Sequence, residues 1–160
     1  MKNRLGSIAV AILVVFAMLQ IASATPPTPA TGTVTVTSFT PTEVRNANGN
    51  TITDFTQSTN SIGNFTGTTE DIGTIVQYPR GDFNFKIRST FTGTVDGKSG
   101  TMVFEVVGKG EGGIPGGTIR SKFVIISGTG DLANLHGQGN LEGISGVGAT
   151  YSGLIHFDPR

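Results

Sequence analysis

The side chains of this sequence that could carry out acid–base chemistry are chiefly carboxylic acids. There is no cysteine, which excludes a thiolate nucleophile, and there are only two histidines. The candidates for proton transfer are Tyr151 and three acids, Glu70, Asp71 and Asp131. A hydroxyl or carboxyl group can act as a general acid when a fold buries it beside a substrate. Whether these groups meet a substrate depends on the strands that carry them and on which face of each strand they lie.

The clearest elements are β-strands with alternating apolar and polar residues. From Gly32 to Thr37, Val34 and Val36 share one face. Residues 46–50, rich in asparagine and glycine, predict a turn, and a second strand follows near residues 51–57. Between Phe83 and Val107 the alternation continues through two arms that are joined by Asp96-Gly97, a pair typical of tight hairpin turns. We expect about eight antiparallel strands in a closed barrel or a sandwich.

The apolar phase of these strands gives the inward face of the predicted domain. Its members alternate with outward charged or threonine residues. They are Phe83, Phe85, Ile87, Phe91, Val95, Met102, Phe104, Val106, Ile119, Ser121, Phe123, Ile125, Tyr151 and Phe157. Ser121 and Tyr151 are the only polar residues in this set. On the same counting two acids face outward, Glu105 and Glu142, and four lie in loops: Glu70, Asp71, Glu111 and Asp131.

Glycine-rich segments mark turns and bends. Ser127-Gly128-Thr129-Gly130-Asp131 resembles a phosphate-binding loop, but it lacks lysine and precedes only one helical turn, which we predict at Asp131–His136. A structural role is favoured, with Asp131 capping that turn. The tetrapeptide Phe65-Thr-Gly-Thr recurs at Phe91, which is either coincidence or the sign of two strands that bend at glycine.

Metal and nucleic acid are not expected as partners. His136 and His156 are isolated in the sequence and have no fixed carboxylate partner, so they predict neither a metal site nor a catalytic pair. No cofactor motif occurs. The chain carries 11 basic and 11 acidic residues without runs of like charge, whereas phosphate backbones require a basic patch.

The N-terminus predicts export. Lys2 and Arg4 precede an apolar run that ends at Ala22-Ser23-Ala24, the arrangement of a cleavable signal peptide in residues 1–24. The alternative is an uncleaved membrane anchor. Residues 25–31 are rich in proline and threonine and predict an irregular leader, followed by a single β-barrel domain in residues 32–158.

The second half of the chain resembles a family of uncharacterised bacterial and archaeal domains in the allene-oxide-cyclase-like, or dirigent-like, barrel superfamily. The matching segments are the hairpin Phe91–Phe104, the Ser-Gly-Thr-Gly segment within residues 126–139, and the closing strand Tyr151–Phe157. The resemblance implies an eight-stranded barrel. It brings no established activity and no functional residue.

Two functions remain open on these grounds. The first is a non-catalytic barrel that binds a small apolar ligand or serves as a structural envelope module. For ligand binding, the expected lumen residues are Phe85, Phe91, Phe104, Ser121, Phe123 and Tyr151. The second is a cofactor-independent cyclase or isomerase, with Tyr151 or one of the acids Glu70, Asp71 and Asp131 as the proton donor. A lumen of several hundred Å³ that contains a carboxylate would favour the enzyme, and a lumen filled with phenylalanine would contradict both cavity functions.

Overall fold

The protein folds into a closed antiparallel β-barrel. The computed structural model describes residues 25–159, so the predicted signal peptide lies outside the described residues. The strands are β1 (Thr28–Ala47), β2 (Asn50–Gly63), β3 (Phe65–Gln77), β4 (Phe83–Val95), β5 (Lys98–Glu111), β6 (Thr118–Gly128), β7 (Leu135–Ile144) and β8 (Gly148–Phe157). Each strand pairs with the next, and β8 pairs with β1 to close the ring. The predicted all-β barrel of about eight strands is confirmed.

Two boundaries differ from the sequence-based expectation. Strand β1 begins at Thr28, where its backbone pairs with Ile155 of β8, so the proline-rich leader is shorter than predicted. The expected helical turn at Asp131–His136 is a single 3₁₀ turn at Gly130–Leu132, and strand β7 already begins at Leu135. In both cases, pairing with β8 extends a strand into residues that show little alternation of apolar and polar side chains.

The hairpin turns follow from residues that adopt positive φ. Asp96 and Gly97 have φ of 49° and 79°, as a two-residue turn between strands requires. Asn48 and Gly49 form a similar turn between β1 and β2, with φ of 52° and 81°. The predicted turns at these two places are confirmed.

One end of the barrel is closed by packing. The 3₁₀ turn carries Leu132 into the barrel end, where Leu132, Leu135 and Ile155 are at most 1% exposed. A hydrogen bond from the backbone N–H of Thr129 to the Thr101 carbonyl (2.8 Å) holds this turn against β5. Gly128 is required here, because a Cβ at that position would collide with the Leu132 carbonyl.

The other end carries the loops that join β5 to β6 and β7 to β8. These loops are hydrogen-bonded to each other through Ser145, whose carbonyl accepts from Gly116 (3.0 Å) and whose N–H donates to Gly117 (2.8 Å). Ile114 and Pro115 of the first loop and Ser145 and Gly146 of the second line the interior cavity, whereas Leu132 and Leu135 do not. The lumen is thus plugged at the 3₁₀ turn and extends to the loops at the opposite end.

The internal repeat of Phe-Thr-Gly-Thr has a structural role. Gly67 of β3 and Gly93 of β4 are directly paired, and a Cβ on either would contact the Phe91 ring as well as the facing backbone. The two glycines therefore let adjacent strands approach closely beside a buried aromatic ring.

Candidate functional site

The barrel encloses a cavity of about 400 Å³. A lumen filled by phenylalanine side chains, which would have excluded ligand binding, is therefore not what the fold produces. A volume of this order is typical of small-molecule sites. The cavity is the candidate functional site.

The sequence-predicted lumen residues are brought together along this cavity. Strand alternation turns all six of them inward: Phe85, Phe91, Phe104, Ser121, Phe123 and Tyr151. Of the remaining members of the inward set, Val95 and Phe157 do not line the cavity. Val95 is fully buried, and Phe157 is half-buried against the core. Both belong to strand ends near the closed end of the barrel.

The largest correction concerns Asp71, which was expected in a loop. Strand β3 extends unbroken from Phe65 to Gln77, and Asp71 shares the inward phase with Phe65 and Ile75. Its side chain is 5% exposed and lines the lumen. Glu70, also expected in a loop, is on the same strand but faces outward, where its carboxylate accepts hydrogen bonds from the Ser58 hydroxyl (3.0 and 3.1 Å).

The surroundings of Asp71 leave one of its oxygen atoms unsatisfied. The Gln57 side-chain amide donates a hydrogen bond of 2.8 Å to Oδ2. Oδ1 is buried and has no hydrogen-bond partner within residues 25–159. Burial raises the pKa of the Asp71 carboxyl above its ordinary value, against the opposing effect of Ser89, Gln57 and Thr69. A buried polar atom without a partner is uncommon in folded proteins, and it calls for a specific explanation.

Asp71 lies within a polar wall that the sequence did not reveal. The wall consists of the inward polar residues of β2, β3 and β4. They are Gln57, Thr59, Ser61, Thr69, Asp71 and Ser89. Within it the hydroxyls of Thr59 and Thr69 are 2.7 Å apart and hydrogen-bonded to each other. The expectation that Ser121 and Tyr151 are the only polar inward residues was wrong, because alternation of hydrophobicity cannot identify a strand whose buried face is itself polar.

Tyr151 lines the lumen, but both its hydroxyl and its ring contact Phe65. Its hydroxyl accepts a hydrogen bond of 2.8 Å from the backbone N–H of Phe65, and its ring stacks on the Phe65 ring at 4.9 Å. Gly32 and Gly63 leave the space that the Tyr151 hydroxyl occupies. Burial raises the pKa of Tyr151, so the phenol stays protonated at neutral pH.

Comparison with known proteins agrees with this architecture. The family model described as "Protein of unknown function (DUF3224)" matches residues 30–152. The chain belongs to the DUF3224 family. A crystal structure of a DUF3224 protein of unknown function from Shewanella oneidensis MR-1 is similar in fold, with a TM-score of 0.69 and 18% sequence identity over 84% of this chain and 100% of the other. No curated protein matches the sequence.

Two expectations about the outside of this DUF3224 barrel were wrong. His136 and His156 are not isolated: the register of β7 and β8 pairs them, their rings stack at 5.3 Å, and their Nε2 atoms lie 3.1 and 3.5 Å from the Asp158 carboxylate. Asp131 does not cap the 3₁₀ turn, because Thr129 occupies the N-cap position and Asp131 falls inside the turn.

The remaining acids of the DUF3224 barrel line no part of the cavity. Glu105 faces outward as predicted and pairs with Lys86 and Arg88 at 3.4 Å each, and Glu142 is also exposed. Glu111 is the last residue of β5 rather than part of a loop.

Residues 25–159 contain no cluster of three or more potential ligands arranged to hold a metal ion. No helix among the same residues is long and apolar enough to cross a membrane.

Proposed function

We propose that this protein binds a small, mostly apolar molecule in the lumen of its barrel. The observation that carries the proposal is the cavity of about 400 Å³, lined chiefly by phenylalanine, isoleucine and valine side chains. Burial of an apolar ligand surface in such a space is favourable by about 25 cal/mol per Å². The polar wall on β2–β4 supplies the few convergent polar groups that orient ligands in sites of this kind.

Filling the lumen from within tests this proposal. Ile87 is half-buried and lines the cavity from β4, so Ile87→Trp places an indole in the proposed ligand space. Thr90→Trp adds the same group to the outward face of the same strand and is the matched control. Pyrene is a suitable probe, because it is uncharged and its emission reports an apolar environment.

We expect pyrene to bind the wild type and Thr90→Trp, and to bind Ile87→Trp at least tenfold more weakly. If Ile87→Trp fails to fold, as judged by circular dichroism, Leu141→Phe blocks the cavity from β7 instead. Equal binding to wild type and blocked variants, or no binding to the wild type, would show that the lumen is not a ligand site.

Asp71 favours a second candidate function, that of a cofactor-independent cyclase or isomerase. The polar inward carboxyl that such an activity needs is present, and its raised pKa would favour a proton-donating form. Asp71 is the best candidate for the acid, since Tyr151 is held by Phe65, and Glu70 and Asp131 are exposed outside the lumen. The barrel and the earlier resemblance to allene-oxide-cyclase-like proteins are consistent with this proposal.

An isomerase would deliver one proton to its substrate and remove another, which leaves the substrate mass unchanged. We therefore expect a bound molecule to be converted by the wild type, but not by Asp71→Asn, into a product of equal mass and different chromatographic retention. Recovery of the unaltered molecule from both proteins would leave binding as the function.

We propose in addition that the barrel acts outside the cytoplasm, as the pattern of residues 1–24 indicates. Mass spectrometry of the exported protein should find Thr25 at the N-terminus. An intact Met1 in the membrane fraction would support the anchored alternative.

A further inference from the structure

The cavity lining carries one acidic side chain and no basic side chain among the described residues. Asp71 is the one carboxylic acid among the described residues that line the cavity, and none of those residues is lysine, arginine or histidine. The other titratable group that faces the cavity is Tyr151, whose hydroxyl is hydrogen-bonded to the Phe65 backbone. Glu70 of the same strand faces solvent and adds a like charge. Within the described part of the chain, the lumen therefore contains an acid without a cationic partner.

The immediate partners of Asp71 do not compensate this charge. Gln57 donates one hydrogen bond to Oδ2, and no group in residues 25–159 is hydrogen-bonded to Oδ1. The Ser89 and Thr69 side chains oppose the rise of the Asp71 pKa, but both are uncharged. An ionised carboxylate that is buried without a cation is strongly disfavoured, and the usual remedies are protonation or a paired cation. A ligand that brings a positive charge and N–H donors would supply both the charge and the hydrogen bond that this site lacks.

We propose that the ligand of the lumen is an apolar amine, with a hydrocarbon body in the aromatic part of the cavity and a single protonated nitrogen paired with Asp71. This inference rests on the proposed ligand-binding function. It specifies that function further, because an alcohol could satisfy only the hydrogen bond and an anionic lipid or fatty acid would be repelled by the carboxylate. In this arrangement the apolar side chains that line the cavity contact the hydrocarbon, and the polar wall of β2 to β4 contacts the nitrogen.

Three probes of equal chain length separate these possibilities: octylamine, 1-octanol and octanoate. Each is measured by displacement of pyrene from the wild type at pH 7.5, where the amine is a cation and the acid an anion. We expect octylamine to bind at least tenfold more tightly than 1-octanol, the scale of a charge-assisted hydrogen bond. Octanoate should bind more weakly than 1-octanol.

Asp71→Asn is the decisive variant, because it removes the charge and retains a side-chain oxygen that can accept from Gln57. We expect it to lose the preference for octylamine over 1-octanol. Glu70→Gln removes the neighbouring outward charge and should leave that preference unchanged. In the wild type, the preference for octylamine over 1-octanol should also fall when acid protonates Asp71.

The outcomes distinguish the inference from the function on which it rests. If 1-octanol binds the wild type as tightly as octylamine, or if Asp71→Asn keeps the amine preference, the amine inference is wrong and lumen binding stands. If none of the three probes displaces pyrene, and pyrene itself binds Ile87→Trp as well as the wild type, the lumen function is wrong.

Discussion

The barrel interior contains two regions that are equally buried but differ in how completely they are packed and hydrogen-bonded. Around the closed end, Leu132, Leu135 and Ile155 fill the space, and the nearby Tyr151 hydroxyl is used by the Phe65 backbone. Around Asp71 there is a cavity, and one carboxylate oxygen has no hydrogen-bond partner within residues 25–159. A protein interior is normally packed and satisfied throughout. The contrast indicates that the first region holds the barrel together and that the second is shaped for something other than stability.

The largest expected effect is at the closed end. Leu132→Ala should lower the free energy of unfolding by about 2–5 kcal/mol, because it removes a fully buried side chain and leaves a cavity. Leu154→Ala is the matched control on the outward face of β8, where the side chain is 52% exposed, and it should lower stability by less than about 1 kcal/mol. Urea denaturation of both variants checks this. Equal losses would show that the 3₁₀ turn does not plug the barrel.

An intermediate effect is expected at Tyr151. Tyr151→Phe keeps the stacked ring but leaves the buried Phe65 N–H without an acceptor, which should destabilise the protein by roughly 1–3 kcal/mol. The control is Tyr78→Phe. It removes the other tyrosine hydroxyl, which accepts from Asn84 at the surface, and should change stability by less than about 0.5 kcal/mol. If both substitutions lower stability by the same small amount, the Tyr151 hydroxyl does not stabilise the fold and becomes a candidate proton donor.

The smallest effect is expected at Asp71, and it should depend on pH. The pKa of this carboxyl is raised in the folded state, so its ionisation opposes folding. Wild-type stability relative to Asp71→Asn should therefore be highest below the ordinary carboxyl pKa of about 4 and should be lost as pH rises through the raised pKa of Asp71. Denaturation of the two proteins between pH 3 and 8 measures this difference.

Glu70→Gln serves as the control for the pH series, because Glu70 is exposed on the same strand. At neutral pH Asp71→Asn should be at least as stable as the wild type. A clear loss of stability in Asp71→Asn at pH 7 would contradict the contrast between the two regions, since Asp71 would then belong to the structural part of the core.

Much of the fold could be predicted from the sequence, because apolar and polar residues alternate clearly in the strands whose buried face is apolar. Phe83, Phe85 and Phe91 of β4, and Phe123 and Ile125 of β6, were assigned inward from period two alone, and all of them are buried. Asp71 was missed because the middle of β3 buries Thr69 and Asp71 and exposes Ile72, so the alternation of apolar and polar residues fails between Phe65 and Ile75. A signal was nevertheless present: counting in steps of two from Phe65, the inward residue of the repeated Phe-Thr-Gly-Thr, reaches Asp71.

The sequence by itself determined the strands with apolar faces, the positive-φ turns at Asn48-Gly49 and Asp96-Gly97, and the absence of cysteine chemistry. These are local properties, set by the alternation of side chains and by the backbone preferences of glycine and asparagine. Only the tertiary structure decided that the lumen contains a cavity, that Asp71 lines it, and that His136 and His156 both contact the Asp158 carboxylate. These depend on strand register and barrel closure, which bring together residues that are distant in the chain and fix how much space remains between them.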